Sequence, residues 1–377
     1  MISNSANKTN QQRRAIILTP FVGINHIFNQ EEFLKINSSL ASDRLQINPL
    51  IKALHNLGYD ISAASLNTTF HLNEFDQFQD FDLCIASKMR SHESIDDNLF
   101  SQFHTCCALH IKRHGAKVIT IYSDHVAKLT SIDSELYKNL LFLSDHVITP
   151  SKKLKRSAHE ISAKALPISV IEDPCLLNKQ DFNKLNAGET IQLLWFGNFP
   201  NLKYLLKELK GLFKQSDHSS TFKLTFLTSK YGVEYIQRKF NAHSIPKNWS
   251  LRLVIWNIDN QPDQLESELS RANITLLPSD PLDPKKNGVS HNRLLDSIQS
   301  GCIAIASPLD SYLELSKVSL IGEDFPKLLN LAVKNYQRLC DKYSKLRDVS
   351  LQRFNPELNI KKWEIAIQKT MNSDSGD

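Results

Sequence analysis

No two cysteines of this chain form a C-x-x-C pair, and none has a histidine at metal-ligand spacing, so neither a zinc ribbon nor a dithiol redox centre is encoded. The six thiols, Cys84, Cys106, Cys107, Cys175, Cys302 and Cys340, sit mostly in apolar runs and are expected to be reduced and buried, as in a cytoplasmic protein. Glycine is scarce, 11 among 377 residues, which excludes a collagen-like repeat. No apolar run reaches bilayer-crossing length, leaving peripheral contact at the inner face as the one form of membrane association. Strong charge of either sign is missing too. The 45 basic and 40 acidic residues give a net charge of only +5, which selects no polyanionic partner. Basic and aromatic residues are not interleaved along any segment, so nucleic acid is not an expected partner.

Residues 13–24, RRAIILTPFVGI, imitate a secretion signal, but the run is short and Pro20 interrupts it. A first buried strand behind a disordered tail over residues 1–14 is expected instead. From there to residue 170 short apolar runs (AIILTPF, FDLCIASK, KVITIYSD, HVITPS) alternate with helix-period segments. The alternation breaks at a polar stretch, residues 171–189, and restarts with IQLLWFGN. Strand–helix repetition implies parallel sheets covered on both faces. The expected architecture is α/β: two doubly wound Rossmann-like domains facing a cleft, over residues 15–170 and 190–350, joined by a linker at 171–189. An amphipathic segment in residues 351–377, IKKWEIAIQKTM, crosses back to the first domain, with Trp363 and Ile367 on one face.

Ligands of open parallel sheets bind beyond the carboxyl ends of strands, where helix amino termini point free N–H groups. NGVSHNRLLDSIQSGCIAIASP, residues 287–308, fits that place: a turn at Gly288, Ser290 as the helix N-cap, a helix, then a small-apolar strand after Gly301. Its first turn, with Lys285, Lys286 and Arg293, suits an anion such as a phosphate; a capped surface helix with solvated charges is the plainer alternative. LLWFGNFPNLKYL supplies a second loop, in which Gly197 after a strand allows close backbone approach or simply forms a strand-to-helix turn.

Together these two loops resemble the donor domain of GT-B glycosyltransferases of the group-1, family-4 type. There a strand ends in a glycine and a basic residue, with a lysine six positions beyond the glycine. Gly197 and Lys203 keep that spacing, and Asn198 replaces the usual basic residue. The family also has two glutamates with seven residues between them; Asp296 matches the second, which holds the nucleotide ribose, while Gly288 replaces the first. The resemblance implies a donor-binding set of Gly197, Asn198, Lys203, Lys286, Ser290, His291, Asn292, Arg293 and Asp296.

In the first half, ASDRLQINPLIKALHNLGYDI, FDLCIASK, HGAKVITIYSDH and LLFLSDHVITPSKKLKR resemble elements of the same family. They imply an acceptor side of Gly23, Arg44, Lys88 and Asp124, with Ser123 where other members commonly carry a histidine. Read without the family, Arg44 is a capping or paired residue, while Lys88 and Asp124 are either a solvated strand end and an N-cap or, as their place at strand carboxyl ends favours, cleft residues; His26 is a loop histidine or touches acceptor. His104, His110 and His114 have no carboxylate or cysteine companions, so no metal site is expected there.

The resemblance implies transfer of a sugar from a nucleotide-diphosphate donor to a glycan or lipid-linked hydroxyl acceptor, in surface polysaccharide or lipopolysaccharide synthesis, with retention and without a metal or other cofactor. Lys203, Arg293 and Asp124 are its candidate catalytic residues. A non-catalytic GT-B protein that binds nucleotide sugar or glycan, and a nucleotide-sugar epimerase of the same fold, are the alternatives.

Overall fold

A computed structural model describes residues 12–19, 26–29, 43–65, 76, 78–87, 97–124, 132–162, 165–186, 188–215, 219–240, 245–257, 260–283, 286 and 288–373. The chain divides into two compact units, Met1–Ile171 with Glu357–Asp377, and Glu172–Pro356.

The first unit contains β1 (Arg13–Leu18), β2 (His26–Asn29), β3 (Tyr59–Ser65), β4 (Leu83–Ala86), β5 (Lys117–Ile121), β6 (His146–Thr149) and β7 (Ile168–Val170), in the order β2-β3-β1-β4-β5-β6-β7. All neighbours run parallel except β2, which pairs antiparallel with β3 at the edge, a departure from the purely parallel expectation. β1 begins at Arg13, so the expected tail overruns the strand by two residues. The strands β4 and β6 are buried throughout, as parallel strands covered on both faces must be.

Between strands run α1 (Asn48–Asn56), α2 (Asp97–Arg113), α3 (Ile132–Leu143) and α4 (Lys152–Ile161). Pro49 suits the first turn of α1, where no N–H partner is needed, and Ser151 caps α4 by accepting from the Leu154 N–H.

The carboxyl-terminal helix, Pro356–Asn372, completes this unit. Trp363, Ala366 and Ile367 share one core with Ile17, Leu50, Ile61 and Ile119. Each fully buried large side chain in such a core contributes about 1.5–3 kcal/mol. Thr370 fixes the helix further, its Oγ1 lying 2.8 Å from Nδ1 of buried His146, whose Nε2 lies 2.9 Å from Ser169 Oγ.

The second unit alternates β8 (Ile191–Phe196), α5 (Phe199–Gln215), β9 (Phe222–Thr228), α6 (Lys230–Lys239), β10 (Trp249–Ile255), α7 (Gln264–Ser270), β11 (Ile274–Leu277), α8 (Asn292–Gln299), β12 (Ile303–Ala306), α9 (Asp310–Leu313), β13 (Leu320–Ile321), α10 (Phe325–Lys334) and α11 (Tyr336–Leu351). Its parallel sheet has the order β10-β9-β8-β11-β12-β13, so the direction of winding reverses between β8 and β11. That reversal is where open α/β sheets leave a crevice at the strand ends.

The expected linker does not stand free. Residues 172–186 lie along the second unit: the Cys175 N–H donates to the Phe354 carbonyl at 2.9 Å and the Gln180 N–H to the Gln299 carbonyl at 3.0 Å. Asn183 Nδ2 donates to the carbonyls of Ser270 and Ala272, at 2.8 and 2.9 Å. Buried Arg347 holds both sides, its Nη1 donating to Gln180 O at 2.6 Å and Ile298 O at 3.2 Å. The polar composition that reads as a connector thus satisfies backbone groups left over at helix and strand ends. Among the cysteines, Cys106 is exposed, contrary to expectation, because it lies on the solvent side of α2. Among the described residues no helix is long and apolar enough to cross a membrane.

Candidate functional site

At the winding reversal of the second unit stand the loops at the carboxyl ends of β8 and β11. After Phe196 the chain turns at Gly197 with φ +153°, a conformation that a side chain disfavours, and α5 starts two residues on. After Leu277 a loop carries the chain to α8, turning at Gly288 with φ +110°. That φ suits glycine and disfavours any residue with a side chain.

Arg293, in the first turn of α8, reaches back to the glycine turn. Its Cζ lies 5.6 Å from the Trp195 ring centroid and 5.2 Å from that of Phe196, the two side chains that end β8. A Cβ at Gly197 would stand 3.4 Å from the same Cζ. The residue keeps some solvent exposure, yet its Nε and Nη2 are buried and have no hydrogen-bond partner among the described residues. Burial lowers its pKa, an effect opposed by Tyr312 and Asp296. Guanidinium remains charged in proteins, so a cation with two open donors faces the turn. Asp296 lies three residues along the same partly exposed side of α8, while Leu294, Leu295 and Ile298 anchor the opposite side in the core.

A second cationic group gathers around Asp283. Tyr204 donates its hydroxyl to Asp283 Oδ2 at 2.5 Å, and Lys203 Nζ stands 3.6 Å from the same oxygen. Both Lys203 and Lys286 lie over the Tyr204 ring, at 4.7 and 6.0 Å from its centroid. Burial, followed by the Asp283 hydrogen bond, raises the Tyr204 pKa, so the phenol stays a donor.

Ser290 is not the N-cap expected of it. The helix begins at Asn292, His291 takes the capping position, and no side chain caps the N–H groups there. His291 is buried and stacks on Phe354 at 4.9 Å; its Nε2 faces Arg353 Nη2 at 3.3 Å and Glu314 Oε2 at 3.6 Å. Arg353 pairs in turn with Glu314 at 2.5 Å and Glu172 at 3.9 Å. The His291 and Arg353 bonds hold the Glu314 carboxyl down at about 2. Asn292 donates from Nδ2 to Asp173 Oδ2 at 2.9 Å. His291 and Asn292 therefore brace the start of α8 through their side chains rather than line an open face with them.

The first unit gathers hydroxyls at three neighbouring strand ends: Thr19 after β1, Ser87 after β4 and Ser123 after β5, all buried. Ser123 Oγ donates to Gln46 Oε1 at 2.8 Å, whereas the Thr19 and Ser87 hydroxyls have no partner among the described residues. Arg44 lies two residues from Gln46 in the π-helical turn before α1, and its buried Nε is likewise open. Asp124 follows Ser123 and is partly exposed.

No protein-family model matches the chain, and no curated protein sequence does. Solved structures do. Anabaena HepE in complex with UDP superposes with a TM-score of 0.59 at 12% identity, over 96% of this chain and 100% of that one. The apo form of the lipopolysaccharide outer core galactosyltransferase WaaB gives 0.62 at 12% identity, over 95% and 99%. Sucrose-phosphate synthase from Thermosynechococcus elongatus gives 0.55 at 13%, over 95% and 99%. The chain has a GT-B fold.

The GT-B likeness covers both units, and within each the sequence-predicted residues fall unevenly. Gly197, Arg293 and Asp296 come together at the winding reversal, and Lys203 with Lys286 gathers at Asp283. Asn198 is exposed just after the glycine turn. Gly23 and Lys88 lie outside the described residues, as does Lys285. His26 opens β2 rather than a loop. Tyr204, Asp283, Gln46, Thr19, Ser87 and the Glu314–Arg353 pair had no sequence signal beyond their residue type.

Proposed function

We propose that the protein is a glycosyltransferase that moves a sugar from a nucleotide-diphosphate donor to a hydroxyl acceptor in surface polysaccharide or lipopolysaccharide synthesis. The observation that carries this reading is Arg293: a buried guanidinium with two donors that have no partner among the described residues, set against the glycine turn at the winding reversal of a GT-B unit. Leaving buried charged donors unsatisfied is costly unless an anion completes them. The similar HepE structures hold UDP, and UDP with glucose, and WaaB is named a galactosyltransferase of the lipopolysaccharide outer core.

In this reaction the bond from the anomeric carbon to the diphosphate breaks and a bond to the acceptor oxygen forms. The acceptor's proton passes to the departing diphosphate oxygen, on which negative charge develops as the bond breaks. Arg293, the uncapped N–H groups of α8 and Lys203 stabilise that charge, a preorganised role that needs no metal or other cofactor. Lys203 meets the donor by exchanging its Asp283 partner for a phosphate oxygen. Asp296 accepts the ribose hydroxyls. Asp124, Arg44 and the strand-end hydroxyls serve a glycan or lipid-linked acceptor. Anomeric configuration is retained, and the protein acts in the cytoplasm with peripheral contact at the membrane.

Gly288 and Asn198 favour a second reading, donor binding without transfer. Purified protein incubated with UDP-glucose and other nucleotide sugars, with and without glycan acceptors, separates them. Acceptor-dependent release of nucleoside diphosphate supports transfer, saturable binding without release supports the binder, and no nucleotide binding overturns both.

A further inference from the structure

The second unit holds a cavity of about 150 Å³ away from the glycine turn, lined by Gln192, Lys223, Thr225, Arg252, Glu268 and Arg271 among others. It lies at the opening half of the strands. Gln192 and Gly197 are five residues apart along β8, about 16 Å in an extended chain.

Strand register puts its polar residues in rows. Gln192 pairs with Lys223, and Thr225 is flanked by Leu194 on one side and Arg252 on the other. A sheet covered on both faces carries apolar residues at such positions. Here β10 is half-buried over Leu251–Val254, so the face is partly uncovered.

The charges do not balance within the cavity. Glu268, nearly buried, pairs closely with Arg252 and lies 3.5 Å from Arg271, so one carboxylate serves two guanidinium groups. Lys223 has no ion-pair partner among the described residues. Three cations facing one carboxylate leave two positive charges in a half-enclosed space. A phosphate monoester carries about −1.5 to −2 at neutral pH and offers three acceptor oxygens, which matches that excess. Arginine forks and a lysine point charge are the groups that recognise it.

We propose that this cavity is a second anion site that takes a small phosphate-bearing molecule, distinct from the glycine turn and Arg293. It stands independently of the glycosyl-transfer reading.

Calorimetric titration with inorganic phosphate and with glucose 1-phosphate tests it on three proteins: wild type, Arg293→Ala and the double variant Lys223→Gln/Arg271→Gln. Both substituted cavity side chains lie outside the part-buried Arg252–Glu268 pair, and a Lys223→Gln single variant serves where the double variant does not fold. Expected are saturable binding of at least one probe to wild type, a saturable component that persists in Arg293→Ala, and at least tenfold weakening of that component in the cavity variant. A response to inorganic phosphate alone marks a free-phosphate site, and a preference for the sugar phosphate marks an ester site. Absence of saturable binding to wild type, loss confined to Arg293→Ala, or unchanged binding in the cavity variant overturns the proposal.

Discussion

The guanidinium carbon of Arg293 lies 3.4 Å from the point where a side chain at Gly197 would begin, so the turn after β8 and the first turn of α8 close on each other. The two residues are nearly a hundred positions apart in sequence, and only the parallel pairing of β8 with β11 brings them together.

Gly197→Ala tests the turn. The added methyl makes an ordinary van der Waals contact with Arg293, but φ +153° disfavours any side chain. The strain costs about 1–3 kcal/mol. The chain either loses that stability or relaxes the turn and weakens nucleoside diphosphate binding. A melting curve with a UDP titration checks both; unchanged stability together with unchanged binding removes Gly197 from the site.

Arg293→Ala is expected to act on ligand and not on fold. The lost guanidinium makes ring contacts with Trp195 and Phe196 but leaves no acceptor unsatisfied at Nε or Nη2. Thermal stability without ligand changes by about 1 kcal/mol or less. Binding of UDP weakens by about 1.5–3 kcal/mol, the scale of a hydrogen bond to a charged group. Large destabilisation with intact UDP binding reverses the assignment.

Asp296→Asn distinguishes ribose recognition from helix support. Nucleoside diphosphate binding is expected to weaken by about 1–3 kcal/mol, while inorganic pyrophosphate, which has no ribose, binds as before. Equal losses for the two ligands in calorimetry assign Asp296 to the helix instead.

Glu314 gives a pH signature. Its folded pKa of about 2 lies below the ordinary 4.5, so its stabilisation is present above that ordinary value and disappears as pH falls toward 2. Each unit is worth about 1.4 kcal/mol, reduced by the partial exposure of the carboxylate. Wild type and Glu314→Gln should differ in denaturation midpoint above pH 5 and converge toward pH 2. Parallel curves across that range show that the His291 and Arg353 contacts do not stabilise the fold.

Much of this architecture was legible in sequence because parallel strands buried on both faces leave apolar runs such as IIL in β1 and IAIA in β12. The glycine turn and Arg293 were legible as a pair of spacings, but the open donors of Arg293 were not. Burial of a single side chain depends on neighbours from β8, which no local pattern encodes. The same holds for His291, whose partners Glu314 and Arg353 lie on later elements. Residues 171–189 misled for a different reason. Asn183 and Gln180 look like loop residues, and their polar groups are what attach the segment to the ends of other elements.

The return of residues 357–372 to the first core has a consequence for synthesis on the ribosome. The second unit is an insertion, complete in itself from Glu172 to Pro356, whereas the first unit lacks Trp363, Ile367 and the Thr370 partner of His146 until that helix emerges. Domains generally fold as units as they leave the ribosome. Here the unit begun second is finished first. The nascent amino-terminal sheet waits with part of its apolar face uncovered while nearly two hundred residues are added.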